Sequence, residues 1–391
     1  MDLTLLPESA EVAATARTMF SRHPAASAAD NTAADNTAAD ATSGTVDGAL
    51  WGAVVAAGWL DILAVPELDY PRIEAAVCLL DEVGRAQPCA PLQVGLVTRW
   101  LATAVPGLAG WCDRLAAQPG LLAALGWTLG ERPDLPLRLR RQGSGYRLDG
   151  DLGIVREAAM ASDLLAMAEL DGQPMLVAVP LRADGVSADG VSADGVRVTT
   201  IDAVGDLRQA RVQLDAVLIG EQDVSPGPGP AQKARADALL LILDAAELTG
   251  CAQIALEMTV DHARTRRQFD RPLGAFQAVR HRIADMSSDV AQSRWLLHRS
   301  AVSLAQADDD TVAAAVTQAH ALALWNSVAL ERVIASAHQV HGGVGFIRDH
   351  PLHRYFGRQK ASMFSWGQPA GHAASVLAAL FPGQEKIMLD L

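Results

Sequence analysis

Residues 264–286 read RTRRQFDRPLGAFQAVRHRIADM, and the parsing of that stretch decides the fold. A helical pattern runs into it from about residue 231 and stops near Thr265. Pro272 breaks the pattern, and helical spacing resumes from about residue 273. Two long helices therefore meet at a short connection, as neighbours in an antiparallel bundle do. Arg266 stands three residues before Phe269 where the first helix ends. A guanidinium in that place can fork onto a pyrophosphate, and an aromatic ring can pack against a planar one. Gln277, just inside the next helix, offers an amide that both donates and accepts.

A second stretch of the same kind lies downstream, QVHGGVGFIRDHPLHRYFGRQK at 339–360. Gly342, Gly343 and Gly345 allow a backbone to approach a ligand closely, with N–H groups available to phosphate. Further helical patterns run over 311–341 and 350–380, which makes four long helices in the C-terminal region. Upstream, SPGPGP at 225–230 reads as a linker. Before it, over 121–222, the apolar period changes to two, and ELDGQPML reads as a hairpin. Residues 1–120 read as helices, with breakers at Pro66 and Pro71. The expected fold is α+β in the order α, β, α: an N-terminal helical domain (1–120), a middle β-barrel or sandwich (121–222) and a C-terminal four-helix bundle (223–391). Two segments carry short repeats, NTAAD within 24–45 and ADGVS within 183–196. Neither has solenoid length, and the first is expected to be a mobile loop because it has no core residue.

The chain carries a formal net charge of −13, which disfavours a nucleic-acid partner. No run of about 18 apolar residues is free of charges, so no membrane span is expected. The N-terminus lacks the basic and apolar regions of a secretion signal, and a cytoplasmic location is expected. Cys78, Cys89, Cys112 and Cys251 have no CxxC spacing and are expected to be buried free thiols. His338 with His341, and His350 with His353, have i, i+3 spacing but no third ligand at a metal-binding distance in sequence, so no metal is expected. GGVG is not a dinucleotide fingerprint, since no strand precedes it. Arginines concentrate at 262–272 and 348–360, which fits either one anionic ligand or a solvated helix face.

Taken in order, the two C-terminal motifs resemble those of the flavin-dependent acyl-CoA dehydrogenase family, and WGAVVAAGWLDILAVPE at 51–67 is similar to an early segment of that family. The resemblance implies that Arg266, Phe269, Gln277, Gln339, Gly342 and Gly343 hold the ADP half of FAD, largely across a subunit interface. It also implies an electron-transferring flavoprotein as redox partner. The sequence departs from the family on the flavin and substrate face. A Thr-Glu-Pro-Gly segment is reduced to GWTLGERPDLP, with only Thr128 corresponding, and Asp151 and Leu152 stand where a Lys or its equivalent is usual. Many members carry the catalytic Glu in a loop after the basic run. Here the ungapped position holds Trp366, with Gly367 retained. Abstraction of the thioester α-proton needs a base, and an indole has none to offer. Other members place the Glu on the first bundle helix. That position falls near Leu240, with Asp237, Asp244 and Glu247 close but out of register.

The expectation is therefore a non-catalytic subunit of an α2β2 acyl-CoA dehydrogenase, of the type associated with actinobacterial steroid side-chain degradation. Such a subunit would share two FAD per tetramer with a catalytic partner. Two alternatives stand beside it: a self-sufficient homotetramer with Asp244 or Glu247 as base, and a scaffold paralogue that binds no flavin.

Overall fold

The computed structural model describes residues 5–23, 47–88, 90–127, 129, 135–181, 195–201, 208–347 and 349–382. The 24–45 segment, nearly all of the second repeat, Cys89 and Thr128 lie outside the described residues. The backbone divides into two units. One joins 1–37, 69–88 and 241–391, and the other joins 38–68 and 89–240. The N-terminal helices are thus shared out between the units. The 36-residue helix α6 (Pro230–Thr265) gives its first residues to one unit and the remainder to the other.

The sheet-containing unit holds α2 (Gly48–Ala56), α4 (Leu92–Ala104) and α5 (Ala109–Ala117). Its strands are β1 (Ala123–Gly126), β2 (Leu137–Gln142), β3 (Gly145–Val155), β4 (Asp163–Leu170), β5 (Gln173–Pro180), β6 (Val196–Thr200), β7 (Ala210–Gly220) and β8 (Val224–Pro226). They form one sheet in the order β6-β7-β3-β2-β4-β5-β8, and β1 pairs in parallel with β4. The expected hairpin is β4–β5. Asp171 and Gly172 close it with φ of 50° and 80°, the pair of positive angles a two-residue turn demands. Val177, Val179, Leu164 and Ala166 pair across it and sit in the sheet core. Two of the six residues in the proline–glycine run are strand, not linker: β8 takes Val224–Pro226, and with it Ser225 and Pro226, and pairs with β5. Proline is tolerated there because β8 is an edge strand.

β3 carries register shifts near Gly150 and Gly153, and Asp151 clamps the second. Its carboxylate accepts from the Gly153 N–H at 2.8 Å, from Arg211 Nη2 at 2.6 Å and from Gln213 Nε2 at 2.9 Å. These donors, led by Arg211, hold its pKa down to about 2. Leu152 packs against the sheet core. Asp151 and Leu152 therefore fix a bulge.

The helical unit holds α1 (Pro7–Arg22), α3 (Tyr70–Ala86), most of α6, α7 (Gln277–Ala305), α8 (Val312–His341), α9 (Leu352–Ser365) and α10 (Pro369–Leu380). The fourth expected bundle helix is therefore broken in two. Gly367 adopts φ +117° and Pro369 opens α10, a stop and a restart that Gly and Pro encode. The pairing of α3 with α6 is unusually close. A Cβ added to Gly84 would lie 1.8 Å from the Glu247 carbonyl oxygen, and one added to Gly250 would lie 2.0 Å from that of Asp81. The two helices touch backbone to backbone, and Cys251 Sγ donates to the Gly84 carbonyl at 3.2 Å. Buried acids on α3 face cationic or N–H partners: Glu82 pairs with Arg17 at 2.5 Å, and Glu74 accepts from the Leu6 N–H at 3.0 Å. Among the described residues, α6 alone is long and apolar enough to cross a membrane, and 89% of its most apolar window is buried. Cys78 and Cys251 are buried as expected, whereas Cys112 is exposed.

Candidate functional site

The two C-terminal motifs converge at one end of the helical unit. The ring of His262, near the end of α6, stacks on His341, the last residue of α8, at 4.4 Å. Arg266 follows His262 by one turn and its N–H bonds the His262 carbonyl at 2.9 Å. Gly342 follows His341 directly. The Arg266 carbonyl accepts from the Leu273 N–H at 2.8 Å, which leads the chain into α7. His262 lies two residues before the first motif, within the arginine-rich stretch, and nothing in the spacing singled it out as the residue that joins the two motifs.

Between α6 and α7 the chain makes a small hairpin, β9 (Arg267–Gln268) with β10 (Arg271–Pro272). Its turn residues are Phe269 and Asp270, with φ of 53° and 63°. Glycine or asparagine suits such a turn, and a bulky residue there carries strain. The Phe269 ring is nevertheless 85% exposed. Strain held at a solvent-facing aromatic points to a role outside the unit's own packing. Phe276 meets Phe269 edge-on at 6.2 Å, and the Arg271 guanidinium lies over the Phe276 ring at 4.0 Å. Gln277 opens α7 in an exposed position. No acidic side chain lies in that first turn, and no side chain caps it, so its N–H groups and positive dipole end suit an anion.

Gly342 has φ +63°, and a Cβ added to Gly342 or Gly343 would meet nothing within 4 Å. The backbone at these two positions is open to an approaching group. Gly345 serves a different purpose, since a Cβ there would lie 3.1 Å from His341 Cβ and 3.3 Å from His338 Nδ1. It allows packing, not ligand approach. Gln339 is exposed one turn before these glycines. Arg266, Phe269, Gln277, Gln339, Gly342 and Gly343 thus all face solvent at or beside this end of the bundle. Val344, Phe346 and Ile347 are exposed next to them, an apolar rim of the sort that a partner covers.

The histidines weighed as metal ligands pack against aromatic rings or backbone. His341 meets His350 at 4.8 Å, and His338 lies between Phe346 at 4.7 Å and Phe356 at 5.5 Å. Burial, then the neighbouring imidazoles, lowers the pKa of His338 and His350. Among the described residues no group of three His, Cys, Asp or Glu side chains is arranged to hold a metal. Two cations of the second motif are paired with carboxylates: Arg358 with Glu247, and Lys360 with Glu331.

The chain's own carboxylates near the expected base positions are also engaged. Glu247 is 2% exposed and faces Arg358. Asp244 is buried and accepts the Ser362 hydroxyl at 2.5 Å. In the other unit, Asp237 accepts from Trp127 Nε1 at 2.7 Å and from Lys233 Nζ at 3.0 Å. Trp366, at the end of α9, is 7% exposed. It helps to line a cavity of about 20 Å³ with Leu241, Asp244, Asn326, Ser362 and His372. That space suits a water and is far below the several hundred Å³ of an acyl-sized pocket.

Comparison with known proteins places this geometry. The profile described as "Acyl-CoA dehydrogenase, C-terminal domain" matches residues 242–380. The acyl-CoA dehydrogenase FadE27 of Mycobacterium tuberculosis is 31% identical over 346 residues, covering 83% of this chain and 86% of that protein. The chain belongs to the acyl-CoA dehydrogenase family. Solved acyl-CoA dehydrogenase structures share the fold. A point variant of the Tcur3481-Tcur3483 steroid enzyme superposes with TM-score 0.77 at 23% identity, over 96% of this chain and 98% of that one. The ChsE4-ChsE5 complex of Mycobacterium tuberculosis superposes with TM-score 0.75 at 25% identity, over 98% and 99%. The expected acyl-CoA dehydrogenase architecture, helical then sheet then helical, is the one observed.

Proposed function

We propose that this chain is the non-catalytic subunit of a heteromeric acyl-CoA dehydrogenase, an α2β2 tetramer in which it completes the FAD site of a catalytic partner. One observation carries the reading. Trp366, at the position where the resemblance puts the base, is buried, and Asp244 and Glu247 are turned to Ser362 and Arg358. The nucleotide-binding residues, by contrast, are held open and exposed. Two structural relatives, one described as a complex and the other as a steroid enzyme, support a partner subunit and a steroid-CoA substrate.

The residues fit the adenosine-diphosphate end of FAD. Arg266 and the open backbone of Gly342 and Gly343 would bind pyrophosphate, Phe269 would cover a ring, and Gln277 and Gln339 would add polar contacts. Bound FAD supplies the hydride acceptor for α,β-dehydrogenation of the thioester. This chain's part is to bind and orient the cofactor. The partner removes the α-proton, and an electron-transferring flavoprotein in the cytoplasm takes up the electrons.

Co-expression with a catalytic acyl-CoA dehydrogenase subunit tests the reading. The expected complex is a yellow heterotetramer with two FAD that turns over a steroid-CoA thioester, while this chain alone purifies colourless and inactive. Arg266→Ala should sharply lower flavin content. Active yellow protein from this chain alone would overturn the proposal, as would flavin content indifferent to Arg266.

A further inference from the structure

Asn326 on α8 is 1% exposed, and neither atom of its side-chain amide has a hydrogen-bond partner. Its backbone is anchored, since the carbonyl accepts from Gln359 Nε2 at 3.5 Å. The indole Nε1 of Trp366 is likewise buried without a partner. Both residues line the cavity of about 20 Å³ described above. The other polar walls are provided for. Ser362 and Asp244 bond each other at 2.5 Å, and the Nδ1 atoms of His372 and His320 lie 2.9 Å apart. The polar demand on this space therefore comes from one amide and one indole.

Buried polar groups in native proteins are almost always satisfied, by protein or by ordered water. A water needs two to four polar partners and a cavity of roughly 10–15 Å³ or more. This cavity meets both conditions, and its two unsatisfied side chains lie on different helices, α8 and the end of α9.

We infer that this cavity is a structural water site, in which one water accepts the Trp366 indole N–H and bonds the Asn326 amide. The indole is thereby fixed in place by a polar anchor as well as by packing. This assignment does not depend on the subunit role: it would hold for a chain that binds no flavin.

A high-resolution crystal structure of the full chain, alone or in its complex, tests it directly. The expected result is a density peak within hydrogen-bond reach of Trp366 Nε1 and the Asn326 amide. A dry cavity, with Asn326 and Trp366 rotated onto protein partners, would overturn the assignment. A thermal double-mutant cycle gives a second readout. Trp366→Phe keeps the bulk and removes the donor, and should lower Tm by about 2 °C or more. In an Asn326→Leu background, where the water has lost its amide, the same change should cost little. Equal losses in both backgrounds would mean that the two side chains share no water. Flavin stoichiometry of the complex should stay the same throughout, which separates this result from the fate of the proposed function.

Discussion

Arg358, on α9, is ion-paired to Glu247, on α6, with both side chains largely withdrawn from solvent. The pair turns one alternative base, Glu247, and one member of the second arginine cluster into a structural contact. Removing one partner strands a buried charge, at a cost of about 3–5 kcal/mol. Arg358→Ala should therefore lower stability strongly. Glu247→Gln should also destabilise, while leaving turnover per folded complex unchanged. Denaturant titration together with steady-state assays of the co-expressed complex checks both. Loss of chemistry with stability intact would return Glu247 to the role of base.

The contact of α3 with α6 predicts a steep response to the smallest possible substitution. Gly84→Ala or Gly250→Ala would set a methyl within about 2 Å of a main-chain oxygen on the facing helix. The helices must move apart, and overpacking of this kind costs typically about 1–3 kcal/mol or more. Thermal melting of either variant should show it, whereas Gly52→Ala, with open space around its Cβ, should behave like the unmodified chain.

Phe269 should show the opposite trade. At φ 53° a glycine relieves strain, so Phe269→Gly should leave this chain as stable or raise its stability by up to about 1 kcal/mol. The same change should reduce flavin retention in the complex. Parallel melts and flavin absorbance measure the two effects. A stability loss would show that the ring serves the unit's own packing.

The buried pair His320–His372 gives a pH dependence with a definite sign. Burial, then the His320 charge, lowers the His372 pKa from 6.5 to about 4. The unfolded chain therefore takes up this proton first as pH falls. The native state loses stability between about pH 6.5 and pH 4, on the order of 2–3 kcal/mol by the acid end. His262, His298, His338 and His350 are shifted in the same direction and add to the slope. Melts across this range should show the decline, and His372→Asn should flatten part of it. A profile unaffected by that substitution would remove His372 from the account.

Trp366→Glu restores a carboxylate in name only. A cavity of about 20 Å³ has no room for a thioester chain, so the variant complex should gain no second active site and no extra FAD. Turnover per tetramer and flavin content test this. A doubling of either would show that the pocket opens when the indole is removed.

The order of helices and strands was legible because its signals are local. Period-two alternation, Asp171–Gly172 and the Pro272 break each speak for their own neighbourhood. The two glycine and arginine motifs were legible for the same reason. What was hidden is tertiary. The assignment of Arg358 and Lys360 to carboxylates more than twenty residues away leaves no trace in spacing. Charge clustering left an anion site and a solvated helix face both open, where two of the cations are in fact paired with carboxylates. Ser225 and Pro226 read as linker because the proline and the glycines beyond it say so, and only the edge position of β8 in the sheet makes them strand. The close approach at Gly84 and Gly250 needs both helices in view, since either glycine alone looks like a mild helix defect.

That approach has a bearing on how the polypeptide is made. Gly84 waits for Cys251 and its neighbours, 167 positions later. At roughly 5–20 residues per second on the ribosome, the apolar side of α3 stays uncovered for about 10–30 s. The stretch that matches the family's C-terminal profile is likewise incomplete without helices translated long before it. Nascent chains stalled before Gly250 emerges should expose this surface to chaperones, and release should follow once α6 has cleared the exit tunnel.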